Sequence, residues 1–456
     1  MSINYIQDMT EGSEIKLLIK FSLPMLLGNV FQQFYNLIDS IIVGKYISSN
    51  AFAAVGATNS VNFLAFSMCL GLSIGVGIVI SQYFGARKEE EVKRAIGNSV
   101  YVIAVSGIIM SVLTSLLARP ILQLLHTPIE ILDDATTFLR IVSGGMLAVA
   151  AYNAIAAILR ALGDSKTPLI FLGLSCIINV GLDLLFVLVF HFGVEGTACA
   201  TVISQAIAAL GCIFFALIKN PYFKLKKEHM KADWTIIAKC IKIGIPIAVQ
   251  NSAIAVSLVA LQWVTNGFGR VAVGAYTAVS RVEQLIQQPY NSLGAAMATF
   301  SGQNMGAGKL DRVKKGYHKS ILIVVVFSLS AMLIAQLGGN AIMSIFVDDK
   351  DIITLGAKAI RITSCMYFAL GMIYITRGLL NGTGDAFYAM INGFVEVAGR
   401  VGFSNVLAII PAIGVWSVWI TTGLTWFITA AASIIRYRQG KWKNKSLVYS
   451  GNLNEM

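Results

Sequence analysis

Twelve apolar stretches of bilayer-spanning length leave this chain few architectures. They lie at roughly 15–43, 52–84, 95–118, 135–159, 167–190, 194–218, 235–266, 272–300, 316–346, 352–379, 386–410 and 414–437. A helix of about 20 residues crosses the hydrocarbon core. In lipid every backbone N–H and C=O must find a partner within the protein, so long continuous spanning segments are helices. The chain has 456 residues, 56% hydrophobic and 13% charged, far more apolar surface than one soluble core can bury. The expected fold class is all-α integral membrane, with twelve transmembrane helices.

The helices come as two copies of one unit. Ser81-Gln82-Tyr83-Phe84-Gly85-Ala86 returns as Ser301-Gly302-Gln303-Asn304-Met305-Gly306-Ala307. Gln82/Gln303, Gly85/Gly306, Gly163/Gly384 and Gly193/Gly414 share one spacing of 221 residues, and Pro24 and Pro246 stand 222 apart. Such a period is too long for a solenoid repeat. Six spans per half is an even number, so the two six-helix repeats are parallel, and halves of this kind commonly flank a transport path. The expected domains are an N-lobe at 1–218, a cytoplasmic linker at 219–234, a C-lobe at 235–438 and a cytoplasmic tail at 439–456. Pro24 and Pro246 lie inside the first span of each half. Each removes a backbone bond and kinks its helix, giving either a hinge or a static bend.

Basic residues set the orientation. With span ends counted as loop, 25 Lys and Arg fall on the side that carries both termini, Arg377 among them, and four on the other: Lys45, Arg119, Arg270 and Lys350. This bias places both termini in the cytoplasm of a multi-pass protein of the cytoplasmic (inner) membrane. The net charge of +12 is spread over short inner-face loops and reads as leaflet anchoring, with no nucleic-acid partner. All six cysteines fall within spans and show no CxxC spacing, so they read as small apolar residues. There is no P-loop, HExxH or GxSxG, and the four histidines are scattered. The chain is therefore not expected to be an enzyme, and any uphill transport must draw on an ion gradient.

A charged group inside a span costs about 2.5–3.5 kcal/mol on insertion scales, so each one needs a reason. Asp39 falls near the outer end of the first span, Asp183 in the outer third of the fifth, and Thr201 about two turns into the sixth. Asn179 precedes Asp183 by four residues and shares its helix face. These four side chains can meet at one depth. Two carboxylates with an amide and a hydroxyl suit a hard cation such as Na⁺, and the same carboxylates can instead exchange protons. The alternative is that each aspartate is paired separately in the bundle, or that Asp39 sits in interfacial water. The second half does not copy the set: Arg400 stands at the position of Asn179 and Ser404 at that of Asp183.

Gln33, Tyr35 and Asn36 extend the polar stripe on the first span, and Tyr152 and Asn153 add polar groups to the fourth. Glu283 falls near the middle of the eighth span. All are candidates to line a substrate cavity, where a carboxylate would attract an organic cation; ordinary bundle packing is the competing account. Glu396 and Arg400 are four residues apart and can pair with each other structurally.

Together these residues resemble the multidrug and toxic compound extrusion (MATE) transporters. The resemblance covers 14–438. It is carried by Pro24 followed fifteen residues later by Asp39 in Asp39-Ser40-Ile41-Ile42-Val43-Gly44, by Val55-Gly56-Ala57, and by the Gln82/Gly85-Ala86 motif with its partner at Gln303/Gly306-Ala307. Arg160-Ala161-Leu162-Gly163-Asp164 and Gly193-Val194-Glu195-Gly196-Thr197-Ala198, leading to Ala200-Thr201, complete it. The resemblance implies a V-shaped pair of lobes and drug efflux by alternating access in exchange for Na⁺ or H⁺. It implies a cation site at Asp39, Asn179, Asp183 and Thr201, and a kinking role for Pro24. Spans 7 and 10 lack the carboxylates that one branch of the family carries there, which favours the branch coupling through the first lobe. The expected substrates are small amphipathic organic cations. The expected surroundings are lipid, the expected state a monomer, and Na⁺ the one candidate in place of a cofactor. An alternative is a lipid-linked oligosaccharide flippase of a related superfamily. That would need a strongly cationic cavity, whereas the buried charges here are mixed in sign.

Overall fold

The computed structural model describes residues 6–448, and every regular element among them is helical. The fourteen long helices are α1 (Glu14–Ile42), α2 (Ser49–Gly85), α3 (Glu89–Leu124), α4 (Ile129–Gly144), α5 (Met146–Ala161), α6 (Lys166–Leu184) and α7 (Val194–Lys219), followed by α8 (Trp234–Asn266), α9 (Arg270–Gly306), α10 (Leu310–Ser344), α11 (Lys350–Ser364), α12 (Tyr367–Thr383), α13 (Ala386–Ala408) and α14 (Ser417–Gln439). Ten of the twelve expected spans are single helices. The fourth and tenth are each broken in two, as α4–α5 with a bend of 45° and α11–α12 with a bend of 53°. Among the described residues, seven helices are long and apolar enough to cross a membrane, or nine elements with the bent pairs counted. The other three, α1, α9 and α13, carry more polar residues, among them Gln32, Gln33 and Asn36 on α1 and the buried Glu396 and Arg400 on α13. This is an all-α membrane protein.

Both breaks have identifiable causes. At the first, a Cβ on Gly145 would meet the side chain of Val202 on α7, so only glycine lets the two helices approach. The second has no glycine. There the carbonyl of Arg361 accepts from Gln336 Nε2 at 2.8 Å, and Gln336 returns its own carbonyl to Arg361 Nε at 3.2 Å. A side chain from α10 thus takes over a carbonyl that the interrupted helix leaves open.

The described chain packs as two compact units. Unit 1 holds residues 6–9 and 23–252; unit 2 holds 10–22 and 253–448. In unit 1 small residues let helices meet backbone to backbone: a Cβ on Gly71 would lie 2.5 Å from Ala248 N, and one on Gly75 would lie 2.6 Å from Cys240 O. In unit 2 Gly378 lies against Gly294 and Gly382 against Ala298 in the same manner. The segment after α7 is docked on α3 within unit 1. Asn98 Nδ2 donates to Lys231 O at 3.2 Å, Asn98 Oδ1 accepts from Asp233 N at 2.7 Å, and Tyr101 Oη donates to Met230 O at 2.6 Å. The boundary between units falls within α8, after Ser252.

Polarity is inverted relative to a soluble protein. Leu322, Val326, Leu329, Leu333 and Leu337 form an exposed stripe down α10, and Val105, Ile108, Val112 and Leu116 do so on α3. Conversely Ser417, Thr421, Thr425, Thr429 and Ser433, every fourth residue of α14, are fully buried. Apolar surface outward and hydroxyls inward is the pattern that lipid as solvent demands. All six cysteines are free.

Each half also repeats one loop device. Gly163 and Gly384, 221 residues apart, both take the left-handed conformation, at φ +89° and +96°. Only glycine adopts it readily, and it ends α5 and α12. The aspartates that follow have diverged. Asp164 accepts from the backbone of Lys166 and Thr167 at 3.0 Å each, whereas Asp385 pairs with Arg436 at 2.7 Å.

Candidate functional site

Three helices of unit 1 bring a polar cluster together. On α6, Asn179 and Asp183 are buried, 1% and 0% exposed, where an unpaired polar group is costly. From α1, Asp39 faces Asp183 closely enough for the two carboxyls to share a hydrogen bond. Tyr35, one turn before Asp39, places its hydroxyl 3.5 Å from that of Thr201 on α7. Both carboxylate-bearing helices run straight on into a π-helical turn, Val43–Ile47 after α1 and Leu185–Val189 after α6. Such turns re-aim side chains locally and recur at functional sites. Neither α8 nor α13 continues this way in unit 2.

The cluster is short of partners. Asp39 Oδ1, Asn179 Oδ1 and Nδ2, and both carboxylate oxygens of Asp183 are buried with no hydrogen bond from the protein. Two facing carboxylates cannot bond to each other while both are ionised. A cation between them or a proton on one resolves the conflict. The donor set fits a hard monovalent ion, with two carboxylates, an amide oxygen and a hydroxyl.

Cys176 lies on the same face of α6 as Asn179 and Asp183. The spacing 176, 179, 183 is i, i+3, i+7, so the sequence carried the signal, although the cysteine reads there only as a small apolar residue.

The other proposed cavity residues are placed differently. Tyr152 is buried, packs with Ala156, Ala208 and Ala209, and donates its hydroxyl to Pro168 O at 2.9 Å. It packs in the bundle with its polar end engaged on a backbone carbonyl. Asn153, half-buried, donates to Val149 O in its own helix at 2.9 Å. Gln33 is half-buried and Asn36 is exposed. The helices α1 and α8 run through Pro24 and Pro246 without interruption.

Unit 2 holds a different cluster. Glu396 accepts from Arg400 at 2.9 Å, the pairing expected from their spacing, and also from Arg377 at 2.6 Å. Arg377 is therefore no inner-face loop residue. It lies inside α12 with its side chain 12% exposed, and its Nε donates to Asn392 at 2.9 Å. Arg400 Nη1 donates to Ser257 Oγ on α8 at 2.6 Å. Glu283 is half-buried beside the Thr363 hydroxyl, and its Oε1 is buried without a hydrogen bond.

Comparison with known proteins agrees with this architecture. The MatE family model matches residues 24–185 and 246–409, one stretch in each repeat. The probable multidrug resistance protein YpnP of Bacillus subtilis (strain 168) is 28% identical over 96% of this chain and 98% of its own length. The probable multidrug resistance protein NorM of Thermotoga maritima is 25% identical over 97% and 96%. A crystal structure of a MATE in the bent conformation has the same fold, with a TM-score of 0.90, 21% identity, and coverage of 98% of this chain and 100% of that one. With two sequence repeats, an inverted interior and a family model matching both halves, the chain belongs to the MATE family of membrane transporters, not to the enzymes.

Proposed function

We propose that this chain is a secondary antiporter that exports small amphipathic organic cations in exchange for Na⁺ or H⁺. The observation that carries the reading is the set of buried, partnerless atoms on Asp39, Asn179 and Asp183. Evolving or retaining two facing carboxylates without a fixed counter-ion stabilises no fold, because removing charge from water is costly unless it is matched. Their use is to be matched intermittently. An ion or proton loaded there shifts the equilibrium between two conformations, and substrate is released as a result. Asp39 and Asp183 supply the charge, Asn179 an amide oxygen, and Thr201 a hydroxyl positioned by Tyr35. Coupling through unit 1 is further supported by Arg400 and Ser404 at the equivalent positions of unit 2. The multidrug names of the relatives support drug-like substrates. The bias of basic residues supports a lipid-embedded monomer with both termini in the cytoplasm.

The test is efflux of a fluorescent organic cation from proteoliposomes, with a Na⁺ gradient and a pH gradient imposed separately. Export driven by one gradient and lost in Asp183→Asn supports the reading. Wild-type rates in that variant, or export indifferent to both gradients, overturn it.

A further inference from the structure

The two repeats can be read against each other residue by residue at the site. The prolines set an offset of 222 between α1 and α8, and the glycines set 221 between α6 and α13. Asp39 then corresponds to Leu261, Tyr35 to Ser257, Asn179 to Arg400 and Asp183 to Ser404. Leu261 is buried at 2% in the apolar core of unit 2, and Ser404 donates to Val401 O in its own helix at 3.2 Å. Neither needs an ion. The Arg400 guanidinium occupies the equivalent place, 5% exposed, between Ser257 Oγ at 2.6 Å and Glu396 Oε1 at 2.9 Å. Ser257 passes its own proton on to Ile254 O at 2.6 Å. Where unit 1 has oxygens without a donor, unit 2 has a guanidinium seated on two oxygens through Nη1 and Nη2, with Arg400 Nε buried and unpaired.

We propose that Arg400 is a tethered cation: it fills permanently in unit 2 the position that unit 1 leaves to an exchangeable one. The charges support this. Glu396 is shared by Arg377 and Arg400, so this cluster holds its cations by covalent attachment to the chain. Unit 2 thereby supplies its own cation at this position, while the two facing aspartates of unit 1 require a charge from outside. Coupling then proceeds through the unit 1 position, which has no tethered cation. Arg400 is thus a positioning residue, and it contacts neither ion nor substrate.

This inference rests on the antiport reading only in its statement about coupling. Its test is on the purified protein and needs no transport. Asp183→Asn serves as background, so that the unit 1 cluster does not respond. On that background Arg400→Asn opens a cavity of guanidinium shape beside Ser257 and Glu396. Free guanidinium at millimolar concentration should raise the thermal midpoint of the double variant saturably, by roughly 2–4 °C, and leave the Asp183→Asn parent unchanged. Arg400→Lys on the same background keeps the tethered charge and should show no such rise. A double variant with the parent's midpoint in the absence of added cation overturns the proposal, and so does a folded double variant that guanidinium does not stabilise. If the Asn variant fails to fold, a saturable guanidinium response in the Lys variant overturns it, and a Lys variant that folds without one supports it. In otherwise wild-type protein, Arg400→Asn should lower export at least tenfold, with partial recovery on adding guanidinium. Failure of export in the wild type would sink the antiport reading and leave the thermal result standing.

Discussion

The hydroxyls of Tyr35 and Thr201 lie 3.5 Å apart and tie α1 to α7 one turn from the Asp39 carboxylate. A contact this long is a weak hydrogen bond, and its value is geometric. It fixes the side of α1 from which Asp39 reaches Asp183. Tyr35→Phe is expected to lower export by about threefold to tenfold and to change thermal stability by about 1 kcal/mol or less. A transport assay beside a melting curve checks this; a large fall in stability would make Tyr35 a packing residue instead.

Asp39 and Asp183 act as one unit. Each single change to Asn should abolish most gradient-driven export while leaving the protein in the membrane, and the double variant should be no worse than either single one. Groups that hold one ion together are non-additive in this way. Additive losses in a double-mutant cycle would mean that the two carboxylates work separately.

Arg377→Gln leaves Glu396 with Arg400 alone. Removing one partner of a buried ion network costs about 3–5 kcal/mol. The expected outcome is a lower thermal midpoint, with a further fall when Glu396→Gln in the same chain leaves Arg400 buried without its carboxylate. If Arg377→Gln melts like the wild type, the network does not hold α12 to α13.

Asp349 caps α11, accepting from the backbone of Ile352 and Asp351, and it pairs with Arg270 at 2.9 Å. The backbone donors first, then Arg270, hold its carboxyl below the ordinary carboxylate range. A depressed acid stabilises the fold above its unfolded pKa, and that contribution is lost as pH falls through the folded value. Asp349→Ala should therefore melt lower than wild type at neutral pH, and the gap should close on acidification below pH ~4. A gap that persists in acid would show that the charge is not what Asp349 contributes.

Gln336→Leu should destabilise unit 2 by about 1–3 kcal/mol, because the amide's bonds to the Arg361 carbonyl and the Ser364 hydroxyl at the break are lost. Melting of the variant measures it. The substitution roughly keeps volume while removing the amide, so an unchanged midpoint would mean that packing alone maintains the bend.

Much of the fold was legible because lipid imposes a single rule on every span. Helix ends such as Glu14–Ile42 against an expected 15–43, or Trp234–Asn266 against 235–266, follow from where apolar runs stop. The membrane also supplies a common axis, so depth along separate helices could be compared, and Asp39, Asp183 and Thr201 were read as neighbours on that ground. The Glu396–Arg400 pair was legible because four residues on a helix is a local distance. Arg377 was not, because its partner lies nineteen residues away on another helix. It stands close to the end of an apolar run, and its charge alone resembles that of a loop residue. Tyr152 looked polar and available; the carbonyl of Pro168 that engages it is visible only in three dimensions.

The bends in the two repeats fall at Gly145 and at Met366, again 221 residues apart, yet no residue type is common to them. One is permitted by the absence of a side chain facing Val202, the other fastened by an amide reaching over from α10. The angle has outlived the means of making it. A bend sustained by two unrelated chemistries is a requirement of the architecture itself, and either fastening should serve in the other's place.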